Sequence, residues 1–136
     1  MGEDLVDTMR ASGGCVGIAA PQIGEGVRMV VVDVSEHPRA TRHNGLLVLV
    51  NPLITRATGR AVAREGCLSI PDLTANVGRA TEVLVEASDP AGVARTVQAE
   101  GFEARCLQHE IDHLDGILFL DRVASLTTDV FPRKRY

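Results

Sequence analysis

The chain has 136 residues, of which 45% are hydrophobic and 24% are charged, and its formal net charge is −4 at pH 7. This length predicts a single domain over residues 1–136, because the chain is too short for two domains of usual size. The acidic balance argues against DNA or broad nucleic-acid binding, and no apolar run is long enough to span a membrane.

The first half of the chain predicts one short helix followed by strands. The helix covers residues 3–11 and stops at a run of serine and glycine. Continuous or β-branched apolar runs predict strands at 27–34, 46–54 and 60–70. Within the second of these, Pro52 restricts the strand to an edge or an end of its sheet, because proline cannot donate to the ladder.

The second half predicts a hairpin followed by a long helix. Residues 81–88 and 95–100 alternate apolar and polar side chains, and they flank a turn at 89–92. A helix at about 101–115 ends before Gly116 and packs under the strands. The predicted fold class is therefore α+β, with small antiparallel or mixed β-sheets packed around a central metal-binding helix.

This helix contains a His-Glu-x-x-His pattern formed by His109, Glu110 and His113. Residues four apart lie on the same helical face, so both histidines can bind one metal ion while Glu110 faces the same site. The pattern is typical of a metal-assisted hydrolase with a carboxylate acid/base. Taken alone, it also fits an ordinary amphipathic helix that happens to carry two histidines.

The surroundings of the pattern predict which helix face is buried. One continuous stripe at i, i+4, i+7 and i+11 comprises Phe102, Cys106, His109 and His113. The face that carries the histidines is therefore expected to be buried. Asp112 and Asp115 fall elsewhere and are interpreted as solvated acids, a supporting role for Asp112 being the less favoured alternative.

A catalytic site of this kind needs a third protein ligand. The other two histidines, His37 and His43, are interpreted as solvated residues of a polar, mobile loop at 35–45. Cys67 is the better candidate, because it follows an extended run and a glycine that permits close backbone approach. Its thiolate would bind the metal in the deprotonated form. The odd number of cysteines, three in all, fits a reducing cytoplasm without disulfides.

Three segments of the sequence resemble the signature motifs of peptide deformylases, in the order in which that family has them. These segments are Val16-Gly17-Ile18-Ala19-Ala20-Pro21-Gln22, Glu65-Gly66-Cys67-Leu68-Ser69 and His109-Glu110-Ile111-Asp112-His113-Leu114-Asp115-Gly116. The resemblance covers roughly residues 3–121. It implies a hydrolase that removes the N-formyl group from the formyl-methionine of nascent peptides and releases formate.

The resemblance also implies the metal site and its chemistry. Cys67, His109 and His113 would hold one divalent ion with water as the fourth ligand, and Glu110 would take the water's proton and pass it to the leaving amine. Iron(II) is the native ion that the resemblance implies, and zinc, nickel or cobalt also suit a thiolate with two imidazoles.

The remaining site residues are assigned to the oxyanion and the substrate. The resemblance implies that the Gln22 carboxamide and the Leu68 backbone N–H donate to the oxyanion. The methionine-like first side chain of an N-formyl-Met peptide would lie in a pocket whose walls and backbone include Val16, Gly17, Phe102 and Cys106. For Val16, simple core packing is an equal alternative.

Two features depart from the family pattern. Cys15 stands where the family usually has glycine, near the site entrance, where it could add a steric wall or a redox liability. The ribosome is a candidate partner, although the chain ends soon after Asp121, without the long C-terminal helix that some bacterial members use to dock there.

The expected location is the cytoplasm, with an organellar matrix or a phage-encoded protein as alternatives.

Three rival interpretations stay open at this point. One is a small metallopeptidase, which would share the helix pattern but is not expected to have the Glu65-Gly66-Cys67 segment. Another is a deformylase-like protein with an altered substrate. The last is a non-catalytic, metal-stabilised binding protein, which would need neither Glu110 nor Gln22.

Overall fold

The computed structural model describes residues 6–7, 17–19, 28–35, 37, 42–67, 70–117 and 130–132, with the backbone alone described at 66–67, 70–73 and 130–132. The strands are β1 (Gly17–Ala19), β2 (Met29–Val32), β3 (Leu47–Thr58), β4 (Ala61–Cys67), β5 (Ile70–Arg79), β6 (Glu82–Ser88), β7 (Ala94–Glu100) and β8 (Val130–Pro132), and the helix α1 spans Gly101–Leu114. Of the helix predicted at 3–11, Val6 and Asp7 are helical and the other residues lie outside the described part.

The strands form two sheets, and every strand pair in the described ranges is antiparallel. One sheet has the order β1-β2-β3-β6-β7, and the other has the order β4-β5-β8. Helix α1 packs on the first sheet, where Leu107 joins Val30, Val32 and Leu49 in one buried apolar cluster. The predicted α+β class with a central helix is confirmed. Of the two predicted kinds of sheet, antiparallel or mixed, the described strands form antiparallel ones.

Pro52 lies within β3 but beyond the part of this strand that pairs on both sides. β3 continues through Pro52 to Thr58 and stands between β2 and β6 in the sheet order, while its pairing with β2 covers only Leu47 to Val50. The proline is tolerated because the pairing with β6 shifts between Val50 and Leu53. There Asn51 adopts a positive φ of 52°, so Pro52 occupies an irregular stretch in which no ladder bond is required of it.

The strand predicted at 60–70 is in fact the start of a hairpin. β4 ends at Cys67, which pairs with Ile70, and the chain returns as β5, a strand that the sequence analysis missed. Proline, asparagine and glycine within 70–79 disfavour a strand. The periodicity was nevertheless present, because Ala75, Val77 and Arg79 are buried and alternate with half-buried neighbours.

The second half of the chain agrees closely with its prediction. The turn at 89–92 joins β6 to β7, and the Asp89 carboxylate accepts backbone hydrogen bonds from Ala91 and Val93, each at 2.9 Å. Helix α1 ends one residue earlier than predicted, and Gly116 follows it with a φ of 75°. Among the described helices, none has the length and apolar character that a membrane crossing requires.

The loop at 35–45 is attached more firmly than predicted, where the structure describes it. His37 is half-buried, and its ring stacks on Phe102 with a centroid separation of 4.1 Å, so its interpretation as a solvated residue was wrong. Asn44 donates to the buried carboxylate of Glu103 from its backbone at 2.8 Å and from its side chain at 2.6 Å. His43 is exposed, as predicted.

Candidate metal centre

Helix α1 brings the three residues of the His-Glu-x-x-His pattern together. The Nε2 atoms of His109 and His113 lie 3.1 Å apart, as the spacing of four residues predicts. One ligand atom from each of His109, Glu110 and His113 lies within 4.8 Å of the others, and all three side chains are buried. Buried imidazole nitrogens that converge with a carboxylate form a donor set that fits a divalent metal ion.

A carboxylate on β4 orients the first of these imidazoles. His109 Nδ1 lies 2.8 Å from Oε1 of Glu65, an acceptor, so the ring proton belongs on Nδ1. His109 Nε2 is then the atom with a lone pair, and it faces His113. Carboxylates that hold the second nitrogen of a ligating histidine are typical of metal sites. The contact therefore supports the fit of this site to a metal.

Glu65 remains ionised although it is buried. Arg79 donates to it from Nε at 2.9 Å and from Nη2 at 3.0 Å, and Arg105 donates to Oε2 as well. Burial alone would raise the pKa of Glu65, but the hydrogen bonds from His109 and Arg79 and the charge of Arg79 lower this pKa to about 2. Glu65 is thus a carboxylate acceptor at neutral pH.

The same cluster corrects the interpretation of Asp112. Its carboxylate accepts a hydrogen bond of 2.6 Å from Nη1 of Arg79, and its side chain is only 13% exposed. Asp112 is therefore a partly buried partner of Arg79 and not a solvated acid. Asp115 does lie in solvent, with 51% of its side chain exposed beside Arg28.

Strand β1 also approaches the site, through Gly17. A Cβ atom added to Gly17 would lie 2.9 Å from Oε2 and 3.0 Å from Cγ of Glu110. Only a residue without a side chain fits against this carboxylate without displacing it. Gly17 thus limits the positions that Glu110 can take.

The sequence matches the polypeptide deformylase family over residues 1–129. The chain belongs to this family. Peptide deformylases are metal-dependent hydrolases that remove the N-formyl group from nascent peptides, and the chain is a hydrolase of this kind. This membership decides against a small metallopeptidase and against a non-catalytic binding protein.

Individual relatives support the assignment along most of the chain. A peptide deformylase from Desulfitobacterium hafniense is 47% identical over 120 residues, which are 88% of this chain and 74% of that protein. The crystal structure of the peptide deformylase from Thermus thermophilus is similar with a TM-score of 0.79 and 45% identity, over 90% of this chain and 69% of that one. The crystal structure of a class I type b peptide deformylase from Acinetobacter baumannii with bound Met-Ala-Ser is similar with a TM-score of 0.80 and 38% identity, over 89% of this chain and 80% of that one.

The other deformylase site residues predicted from the sequence are placed as follows. Cys67 is the last residue of β4, two residues after Glu65. The structure describes the backbone of Cys67. Four predicted residues lie outside the part of the chain that the structure describes: the oxyanion donors Gln22 and Leu68, the pocket residue Val16, and Cys15 at the site entrance. Their roles stay predictions.

The two predicted pocket residues of α1 differ in their surroundings. Phe102 is half-buried between the core and His37. Cys106 is buried in the apolar cluster, where burial, with smaller contributions from Glu110 and Glu65, raises the pKa of its thiol. Cys106 is therefore a neutral, apolar group at this position.

Sequence reasoning missed the basic residues that surround Glu65. Arg79 was not singled out because its strand was not predicted. The burial of Arg105 could have been predicted from the sequence, since Arg105 lies four residues before His109 and so shares its helical face. A buried face that carries both a cation and a metal ligand implies a carboxylate partner nearby.

Proposed function

We propose that Cys67, His109 and His113 hold the metal ion of this deformylase, and that Glu110 is its acid/base. The observation that carries the proposal is the pair of Nε2 atoms 3.1 Å apart, with His109 oriented by Glu65 and the Glu110 carboxylate beside them. Cys67 is included because β4, whose Glu65 contacts His109, ends at this residue.

The proposed reaction is hydrolysis of the formyl amide of an N-formyl-Met peptide. When bound, the ion supplies Lewis-acid activation of water and of the formyl carbonyl. Glu110 accepts the proton of the attacking water at its carboxylate and delivers it to the leaving amine, so that formate and a free amino terminus result. Its burial beside Gly17 holds the carboxylate close to the reacting atoms.

Two further groups complete the proposed chemistry. The Gln22 carboxamide and the Leu68 backbone N–H donate hydrogen bonds to the oxygen on which charge develops, a role typically worth about 10²–10³ in rate for one donor. The methionine-like side chain lies against an apolar wall formed by Val16, Phe102 and Cys106. The neutral state of the Cys106 thiol supports an apolar preference, because a charged substrate side chain would lack a partner there.

The proposal extends to the ion, the domain and the location. Iron(II) is the proposed native metal, since a thiolate with two imidazoles suits this ion as well as zinc, nickel and cobalt. Residues 1–136 are proposed to form one catalytic domain, in which α1 packs on one sheet and bonds to the other through Arg105. A reducing cytoplasm suits the free Cys106 thiol and an iron(II) site.

The decisive experiment measures formate release by protein loaded anaerobically with iron(II). Formyl-Met-Ala-Ser is the substrate, and acetyl-Met-Ala-Ser and an unblocked longer peptide are the controls. We expect formate from the first and no cleavage of the other two, because a narrow site admits a carbonyl that carries only hydrogen. Cleavage of internal peptide bonds without formate release would contradict the proposed reaction.

A further inference from the structure

We infer that Arg105 is a positioning residue for the metal site, acting through Glu65 on His109. The inference rests on the proposed function, because it takes His109 as a ligand. Arg105 lies one helical turn before His109 on α1, so both side chains leave the same face of the helix. Both of them contact the single carboxylate of Glu65 on β4.

The contacts of Arg105 join the helix to both strands of the β4–β5 hairpin. Its Nη1 donates to Glu65 and also to the Val77 carbonyl at 2.9 Å, and its Nη2 donates to the Ala61 carbonyl at 2.8 Å. The side chain is buried, with 9% exposed. Three acceptors on two strands therefore fix one guanidinium, and that guanidinium in turn fixes Glu65.

The physical consequence concerns the direction in which His109 points. Glu65 receives the His109 ring proton at Oε1 and the Arg105 hydrogen bond at Oε2, and the Arg79 guanidinium donates to both oxygens. Without Arg105, Oε2 loses one of its two guanidinium donors in a buried setting, and Arg79 alone holds the carboxylate against His109. The imidazole is then held less firmly, and ligand geometry loosens.

The proposed role of Arg105 differs from the role of Arg79, which also contacts Glu65. Arg79 belongs to β5 and donates a second hydrogen bond to Asp112, which follows His109 on α1. Arg105 is the cation that shares a helical face with His109 and reaches the start of β4 at Ala61. It therefore sets the spacing between α1 and the strand that ends at Cys67.

The test compares three substitutions at this position in the full-length protein. Arg105→Met removes charge and hydrogen bonds, Arg105→Gln removes the charge, and Arg105→Lys keeps the charge. The zinc dissociation constant is measured by competition with a chromogenic chelator, and the visible absorption bands of cobalt(II)-loaded protein report ligand geometry. We expect Arg105→Met and Arg105→Gln to weaken zinc binding by about 10–100-fold and to shift the cobalt bands, with substantial recovery of both in Arg105→Lys.

A double-mutant cycle tests whether Arg105 acts through Glu65. Glu65→Gln alone should weaken zinc binding, and adding Arg105→Gln should cause no further loss, because the carboxylate through which Arg105 acts is already gone. In kinetics with the iron(II) protein, Arg105→Gln should lower kcat while KM changes little.

Gln108→Leu is the matched control on the same helix. The Gln108 side chain bonds to the Ala80 backbone at 3.0 and 2.8 Å and to the Ala104 carbonyl at 2.9 Å, so it ties α1 to the residue that follows β5 without a bond to Glu65. Its loss should reduce stability and leave the cobalt spectrum unchanged.

Several outcomes would overturn the inference. They are an unchanged zinc dissociation constant and cobalt spectrum in Arg105→Gln, additive losses in the cycle, or the same spectral shift in Gln108→Leu. Failure of both Arg105→Met and Arg105→Gln to fold would also overturn it, since Arg105 would then be a determinant of the fold. If the wild-type protein binds no metal through His109, the proposed function fails instead, and the two failures are thereby distinguished.

Discussion

The backbone of Gly17 lies directly against the carboxylate of Glu110, so that a Cβ atom on this glycine would come within 2.9 Å of Oε2. Gly17 belongs to an outer strand of the larger sheet, and Glu110 belongs to the central helix. Two motifs that are far apart in the sequence therefore meet at the proposed acid/base. The requirement for glycine comes from this contact, because Gly17 does not adopt a positive φ.

Gly17→Ala should lower kcat without removing the metal. The methyl group forces the Glu110 carboxylate to move, and a displacement of about 1 Å in a catalytic group can cost on the order of 10²-fold in rate. Formate release and metal content are measured together. Gly45→Ala is the control, because its Cβ meets nothing within 4 Å and its φ of 70° makes the substitution costly in stability alone. Equal kcat values in Gly17→Ala and wild type would refute the positional role of Gly17.

Glu110→Gln should abolish most turnover while the site stays assembled. The amide keeps the shape of the side chain but cannot accept the proton, and loss of a general acid/base costs about 10²–10⁴ in rate. Metal content and the thermal unfolding midpoint should remain close to those of the wild type. Turnover near the wild-type level would exclude Glu110 as the proton carrier.

The helix and its metal pattern could be predicted because their signals are local. The i, i+4 spacing of His109 and His113 and the stop at Gly116 need no knowledge of the rest of the fold. The hairpin turn that begins at Asp89 is equally local. Each of these predictions depended only on residues that are close to one another in the sequence.

The errors arose where long-range partners decide the outcome. Asp112 is partly buried and bonded to Arg79, 33 residues away, and no pattern around Asp112 reveals that partner. Pro52 is tolerated inside β3 because the pairing with β2 ends at Val50 and the pairing with β6 shifts between Val50 and Leu53. His37 is half-buried because Phe102, on the distant helix, offers a ring to stack on. Such contacts become visible only when the strands and the helix are brought together.

Removal of any proposed ligand should abolish stoichiometric metal binding. Cys67→Ala, His109→Ala and His113→Ala each leave two protein ligands where a catalytic site of this type uses three. Elemental analysis of anaerobically purified protein gives the metal content. His43→Ala is the control, because His43 is exposed and belongs to the loop before β3. Full occupancy in any of the three ligand variants would require a different ligand set.

Asn44→Ala should destabilise the fold while leaving the metal site intact. The Glu103 carboxylate is only 1% exposed and accepts two hydrogen bonds from Asn44, of which the side-chain bond at 2.6 Å would be lost. A buried acceptor that loses a partner costs about 1–3 kcal/mol, measurable as a lower urea midpoint. Arg42→Ala is the neighbouring control, because Arg42 is 83% exposed and pairs loosely with Glu100 at 3.5 Å. The control should cost less than about 1 kcal/mol. If both variants unfold at the wild-type midpoint, the attachment of this loop to α1 does not contribute to stability.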